Sequence, residues 1–449
     1  DIENGLADRL VSYYINQLIA APTLHDRVEF DIVFSCYTFD LPQRLNRLSE
    51  FGFSSEDRER LANSLRALTN RIIDREGGLW RADGAKIAIL EERRKTILAS
   101  GIDPIAKMYW LLEDCKRYGT LPFAGLARAG FIAVQLLRSL VAVEVLSHRD
   151  YNAFMTGLDT VSGRLVRDLA GSSPEEFLER YGHLRPGTYD ILSPRYDEAP
   201  ERYFEWKAKR EHERDGDELF SLSIPQMREI DRLLREHGFT HDIVGLFEFL
   251  RAAIEGREYA KFAFTRNLSD VLAMLGELGF SKEEMSYADV AAIKELYSGS
   301  GNPRTVFGDA IARGKARYAQ TMQLVFPPLI VDPDQVWAFE LPVDEPHYIT
   351  QRSAEGAVCT EEAIRAGGAD LTGAIVFIPS ADPGYDWLFS HRIAGFVTAY
   401  GGVNSHMAIR AGELNLPAVI GAGETLFRRW SSAKTIRIDA ANRHVELLA

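Results

Sequence analysis

Apolar positions recur at helical spacing through most of the first three hundred residues. Over 6–19, 56–73, 86–98 and 105–118 they fall three and four apart, which predicts four amphipathic helices. Residues 123–146 carry a longer, more apolar version of the pattern, with Arg128, Arg138 and Glu144 set into it, and predict a helix central to a bundle. Ser172-Ser173-Pro174 reads as a cap with proline in the first turn of a helix over 175–181. Residues 224–237 and 241–257 predict a further helical pair, with Gly238 as the stop between them.

The pattern changes toward the C-terminus. Ser298-Gly299-Ser300-Gly301-Asn302-Pro303-Arg304 reads as a flexible link, and it lacks the Gly-Lys-Ser/Thr of a phosphate loop. Over 323–341, apolar residues alternate with Pro and Asp, which predicts a strand-rich connector. Apolar runs at 374–378, 396–400 and 418–421 predict buried strands, and 434–439 with 444–447 a closing hairpin. The expected fold class is α+β multidomain: a large mainly helical domain over 1–300, a connector or hinge over 301–345, and a small α/β domain over 346–449.

The strand at 396–400 leads into the stretch with the clearest chemistry. Gly401 and Gly402 give a tight turn that lets the backbone approach a ligand closely. Asn404 or Ser405 is a good N-cap for a short helix that runs to about 414 and stops before Pro417. His406 therefore falls on the first turn of a helix. There, unpaired N–H groups and the positive end of the helix dipole favour an anion. A largely neutral imidazole is also a nucleophile, so a phosphoryl group taken up by His406 would direct its charge into that N-terminus. A packed or exposed histidine at an ordinary turn is the plain alternative.

Composition narrows the partners. A chain of 449 residues has room for two or three domains, and a formal net charge of −13 argues against a nucleic-acid surface. A small acidic substrate would need a local basic pocket. Cys36, Cys115 and Cys359 are odd in number and in no metal-ligand spacing, which predicts a reducing cytoplasm. The longest apolar run, around 131–137, is too short to span a membrane, so no membrane partner is expected. A first residue of Asp rather than Met predicts a fragment or a processed product.

Two charged patches are candidates for that pocket. Residues 181–195 hold His183, Arg185, Asp190 and Arg195 among glycines and prolines, without helical or strand period. Such a loop suits an anion or polar ligand, since arginine forks onto carboxylate or phosphate; alternatively its charges pair with one another. In the second patch, Arg257, Lys261 and Thr265 share one helical face with Arg266 beside them, as a ligand site or as a solvated face.

Gly401-Gly402-Val403-Asn404-Ser405-His406, followed by Leu416-Pro417-Ala418-Val419-Ile420-Gly421, resembles the phosphohistidine swivelling domain of the phosphoenolpyruvate-utilising enzymes. The usual signature there is Gly-Gly-x-Thr-Ser-His, then Ile-Pro-Ala-Val-x-Gly; Asn404 and Met407 depart from it. The resemblance implies His406 as phosphoryl carrier, with Gly401, Gly402, Asn404, Ser405 and Arg410 around the phosphate. Residues 181–195 resemble the Gly-His-Arg-Gly…Ser-Pro-Arg segment of the helical substrate domain in rifampin phosphotransferase-like members. This implies acceptor-binding roles for His183, Arg185, Asp190 and Arg195, and for Lys261 and Arg266 on the nearby helix.

The family also implies ATP and Mg²⁺, bound mainly by an ATP-grasp domain that would lie before Asp1. The expected partners are thus an upstream ATP-grasp domain or subunit and a small-molecule acceptor, with this chain alone inactive towards ATP and no metal ligands of its own. No pyruvate-binding barrel is recognisable after the histidine domain. The order of parts resembles the L-glutamine kinase branch of bacterial capsule biosynthesis, which implies transfer to the side-chain amide of glutamine while ATP yields AMP and phosphate. A rifampin-like antibiotic phosphotransferase and a phosphoenolpyruvate synthase-like enzyme are alternatives. From another class, a phosphorelay or regulatory carrier would pass the phosphate to a partner protein.

Overall fold

A computed structural model describes residues 4–25, 28–204, 206, 220–324, 326–327, 329–339, 346–367, 369–402 and 405–448. By contact density the chain divides into two units, Asp1–Val161 with His212–Asn267, and Ser162–Glu211 with Leu268–Ala449.

The first unit is helical. Its helices Asn4–Ala20, Ser55–Ile73, Leu79–Ala99, Pro104–Asp114, Leu121–Ala142 and Ile224–Glu236 match the apolar periods of the sequence. Local chemistry sets several of their starts. Ser54 and Asp57 form a reciprocal capping box, as do Ser223 and Gln226, and Asp103 caps a helix whose first residue is Pro104. Most of the apolar stripes meet in a core around Phe39, Leu136, Leu140, Leu246 and Leu250, and Ile87 and Leu126 pack with Ala260 and Ala263 in a second cluster. The helix predicted over 105–118 changes at its end to a π-helical turn, Cys115–Thr120. A Cβ on Gly119 would lie 2.7 Å from Cβ of Phe264, so the glycine permits close packing there.

The helical run Pro104–Ala142 is 39 residues, long and apolar enough by length and composition to cross a membrane. The sequence reading, which looked only for an unbroken apolar run, missed it. Half of its most apolar window is buried inside the protein, with Ala129, Ala133, Leu136, Leu137 and Leu140 in the core. Core burial accounts for that hydropathy.

The second unit contains a seven-stranded sheet. Its strands are β1 (His347–Ile349), β2 (Ser353–Thr360), β3 (Ile375–Ser380), β4 (Gly395–Tyr400), β5 (Ala418–Ile420), β6 (Thr435–Asp439) and β7 (His444–Leu447), in the order β1-β5-β4-β3-β2-β6-β7. Strands β2 to β5 run parallel; β1, β6 and β7 join antiparallel at the two edges. The central parallel strands read as continuous apolar runs because both faces are covered; β3 and β4 are buried over Ile375–Ile378 and over 395–399. The fold class is therefore α+β and multidomain, with a large helical part and a mixed-sheet domain toward the C-terminus.

The strand-rich connector is a correction. Among the described residues of 323–341 there is no strand; a 3₁₀ turn, Pro333–Val336, stands there, capped by Asp332. The prolines of this stretch lack the N–H a ladder needs, so the alternation of apolar residues does not make strands. Of the expected hinge, residues 325, 328 and 340–345 lie outside the described residues. The link at 298–304 joins two helices, Ala291–Ser298 and Pro303–Thr321, the second capped by Asn302.

Candidate functional site

The candidate carrier site is built at the C-terminal end of β4. The chain leaves β4 at Tyr400, turns through Gly401, and enters the helix His406–Glu413, which returns to β5 in a parallel crossover. Gly401 has φ +131°, a conformation that side-chain-bearing residues rarely adopt. A Cβ there would sit 2.7 Å from Cβ of Ala381 and 3.2 Å from Cγ2 of Ile420. Gly421 packs on the other side; a Cβ on it would come within 2.4 Å of the Gly401 carbonyl oxygen. Thr398 ties these ends together, its hydroxyl accepting from the Gly421 N–H at 3.0 Å and its carbonyl from the Ala422 N–H at 2.9 Å. Gly421 stood in the motif read from the sequence, whereas Ala381 and Thr398 were missed as parts of the turn because they come from other stretches of the sheet.

Ser405 is the N-cap, with extended backbone; its N–H donates to the Gly402 carbonyl at 2.9 Å and its hydroxyl accepts from the Ala408 N–H at 3.4 Å. The backbone of His406 is the first residue of the helix. The side chain of His406, together with Val403 and Asn404, lies outside the described residues. Arg410, one helical turn on, is buried with its guanidinium 5.7 Å from the ring centre of Phe389.

The loop 181–195 is also in the second unit, and the structure brings its four candidates together. His183 and Arg185 are buried. Arg185 donates to the carbonyls of Asp190 and Ser193, each at 3.3 Å, and to the Ser269 hydroxyl at 3.4 Å. Burial lowers its pKa from the ordinary value, and its Nε has no hydrogen-bond partner among the described residues. Ser269 in turn donates to the His183 carbonyl at 2.6 Å. Asp190 accepts from the Leu192 N–H and the Ser193 hydroxyl, and pairs with Arg365 at 3.3 Å. Arg195 pairs with Asp197 at 2.6 Å and Asp270 at 3.2 Å; burial opposes its charge, but these two carboxylates raise its pKa. Much of the loop's charge is therefore spent on holding its own shape, with Arg185 Nε as a spare buried donor.

Lys261 and Arg266 belong to the first unit, on the 33-residue helix Ile243–Leu275 that extends well past the predicted end at 257. Both are partly buried and engaged, and the Arg257 guanidinium lies 5.0 Å from the ring centre of Phe131. This face is therefore partly buried, not simply solvated.

Comparison with known proteins agrees with this geometry. Residues 371–443 match the family described as "PEP-utilising enzyme, mobile domain". The chain is also 26% identical over 342 residues, 68% of its length, to a rifampicin phosphotransferase from Streptomyces sviceus. The match spans 37% of that relative's length. Residues 371–443 thus correspond to the mobile domain of the PEP-utilising enzymes.

Proposed function

We propose that the chain is the carrier and acceptor-binding part of an ATP-dependent phosphotransferase in which His406 carries the phosphoryl group. The observation that carries this reading is the placement of position 406: first residue of a helix, directly after a glycine turn at the end of a parallel strand. An anion bonded to a side chain there would meet the positive end of the helix. An imidazole nitrogen attacks phosphorus, the N–P bond forming as the P–O bond to the leaving group breaks. A second in-line displacement then passes the phosphoryl group to the acceptor. Gly401 and Gly402 supply the close backbone approach, Ser405 holds the helix start, and Asn404 and Arg410 complete the phosphate surroundings. ATP and Mg²⁺ would be held mainly by an ATP-grasp domain or subunit outside this chain, in the cytoplasm. No residue set of this chain is assigned to the metal.

For the acceptor we propose a small polar molecule, with the side-chain amide of L-glutamine first. Overall, ATP, water and the acceptor give AMP, phosphate and the phosphorylated acceptor. Support comes from the spare buried donor of Arg185, which suits a carboxylate or phosphate. His183, Asp190 and Arg195 would shape this site with it; for Lys261 and Arg266, which stand in the first unit, we propose a separate ligand-binding role. An antibiotic acceptor is the second reading, favoured by the name of the Streptomyces relative.

The test supplies the chain with the ATP-grasp portion and Mg·ATP. Acid-labile, base-stable phosphate should appear on the wild-type chain and vanish in His406→Ala. Phosphorus NMR with glutamine should then show a phosphorus–nitrogen product. Labelling that persists in His406→Ala overturns the carrier, and turnover with an aromatic antibiotic but not glutamine overturns the acceptor.

A further inference from the structure

Between β3 and β4 the chain makes a 3₁₀ segment, Pro383–Ser390, that is gripped from two sides within the second unit. On one side lies the carrier helix. Phe389 meets Phe396 of β4 edge-on, with ring centres 6.0 Å apart, and lies under Arg410 of that helix. On the other side lies the loop that continues from 182 to 204. The hydroxyl of Tyr196, which is fully buried, donates to the Gly384 carbonyl at 2.9 Å. Thr188 donates to Asp382 at 2.8 Å. The Tyr203 ring packs on Trp387 with centres 5.5 Å apart, and the Tyr203 carbonyl lies 3.0 Å from Nε2 of His391. The two backbones run so close that a Cβ on Gly384 would fall 1.9 Å from the Arg185 carbonyl oxygen.

We infer that the loop 182–204 is a built-in buttress of the carrier helix and that Tyr196 is its positioning residue, acting through Gly384 and the 383–390 segment. The buttress comes from outside the matched family region; Tyr196 precedes Gly384 by 188 residues. The family match thus covers only part of the packing around the helix: the loop contributes to it as well. The word "carrier" rests on the proposed function; the buttress does not.

The consequence is a specific coupling. Tyr196→Phe keeps the ring and removes the hydroxyl, which donates to the Gly384 carbonyl and meets the Trp387 backbone N–H, so both contacts to the 383–390 segment are lost. Hydrogen exchange measured on the intact chain should then speed up about tenfold over 383–390 and over the helix 406–413, with the helix 224–236 of the first unit unchanged. Gly384→Ala, which forces the two backbones apart, should reproduce the same pattern more strongly. Acceleration confined to 182–204, or spread evenly over all helices, overturns the inference. Where wild-type chain accepts phosphate from the ATP-grasp portion, Tyr196→Phe should lower the maximal rate of labelling and leave the apparent KM for ATP unchanged. The two readings fail separately. Wild-type chain that never takes up phosphate refutes the carrier, whereas unchanged exchange over 406–413 in both variants refutes the buttress.

Discussion

Gly401→Ala tests the turn that aims the candidate carrier helix. Two costs add. The backbone at φ +131° lies outside the regions open to alanine, and holding such a residue there costs roughly 1–3 kcal/mol. The new methyl would also meet Cβ of Ala381 at 2.7 Å and Cγ2 of Ile420 at 3.2 Å, well inside ordinary carbon contact. Overpacking of that kind costs roughly a further 1–3 kcal/mol. The sum, about 2–6 kcal/mol, should fall on the sheet domain and not on the helical unit. Gly412→Ala is the control. Gly412 lies on the same helix at ordinary φ, and a Cβ there finds its nearest neighbour, Cγ2 of Ile349, at 4.0 Å. Gly412 is the next-to-last residue of the helix, so this change should stabilise by less than the roughly 1 kcal/mol of a helix interior. Urea unfolding followed by circular dichroism and by hydrogen exchange over β3 to β5 reads both, since those strands lie in the sheet-domain core. A Gly401→Ala chain within about 0.5 kcal/mol of wild type would show that the turn relaxes freely and that the geometric reasoning is wrong.

Three further outcomes follow from burial and charge. Burial pushes the Cys36 and Cys115 thiols up to about 12 and also raises that of Cys359. A thiol reagent at pH 8 should therefore react far more slowly with the native chain than with the unfolded one, and one fast equivalent in the native chain would contradict this. Burial holds His237 and His241 below their ordinary value of 6.5. The unfolded chain then binds more protons between the folded value and 6.5, so their contribution to stability is full above 6.5 and is lost as pH falls through the folded value. Urea midpoints should drop from pH 7.5 to 5.5 and drop less in His237→Gln; a rise on acidification would refute the sign. Replacing Arg185 by Met should slow transfer to the acceptor more than it slows uptake of phosphate by His406, as read by separate single-turnover assays; equal effects on both would reduce Arg185 to a structural role in the loop.

Local pattern was enough for much of this molecule. The helices Ser55–Ile73 and Ile224–Glu236 and the strands β3, β4 and β5 stand within a few residues of their predicted positions, because spacing of apolar side chains and cap chemistry act over a few neighbours. The glycine turn and the helix opening at His406 were legible for the same reason. The strand β2 was not. It is built from pairing with β6, some eighty residues later, and most of its residues are small or polar, so nothing local announces it. The connector failed in the opposite sense, since its apolar alternation looked like strand while its prolines removed the donors a ladder requires.

The sequence by itself determined which residue types stand where chemistry is possible: the Gly-Gly turn, the capped histidine, and a loop dense in arginine and aspartate. It could not say what that loop does with its charges. Tertiary structure alone decided that Asp190 pairs with Arg365, that Arg195 pairs with Asp270, and that Tyr196 reaches Gly384. Each of these contacts joins residues 75 to 188 positions apart. A charge or hydroxyl carries no mark of a partner so distant; only the closing of the chain brings the two into hydrogen-bond range, and desolvation makes the pairing obligatory for the buried Arg195–Asp270 and Tyr196–Gly384 contacts.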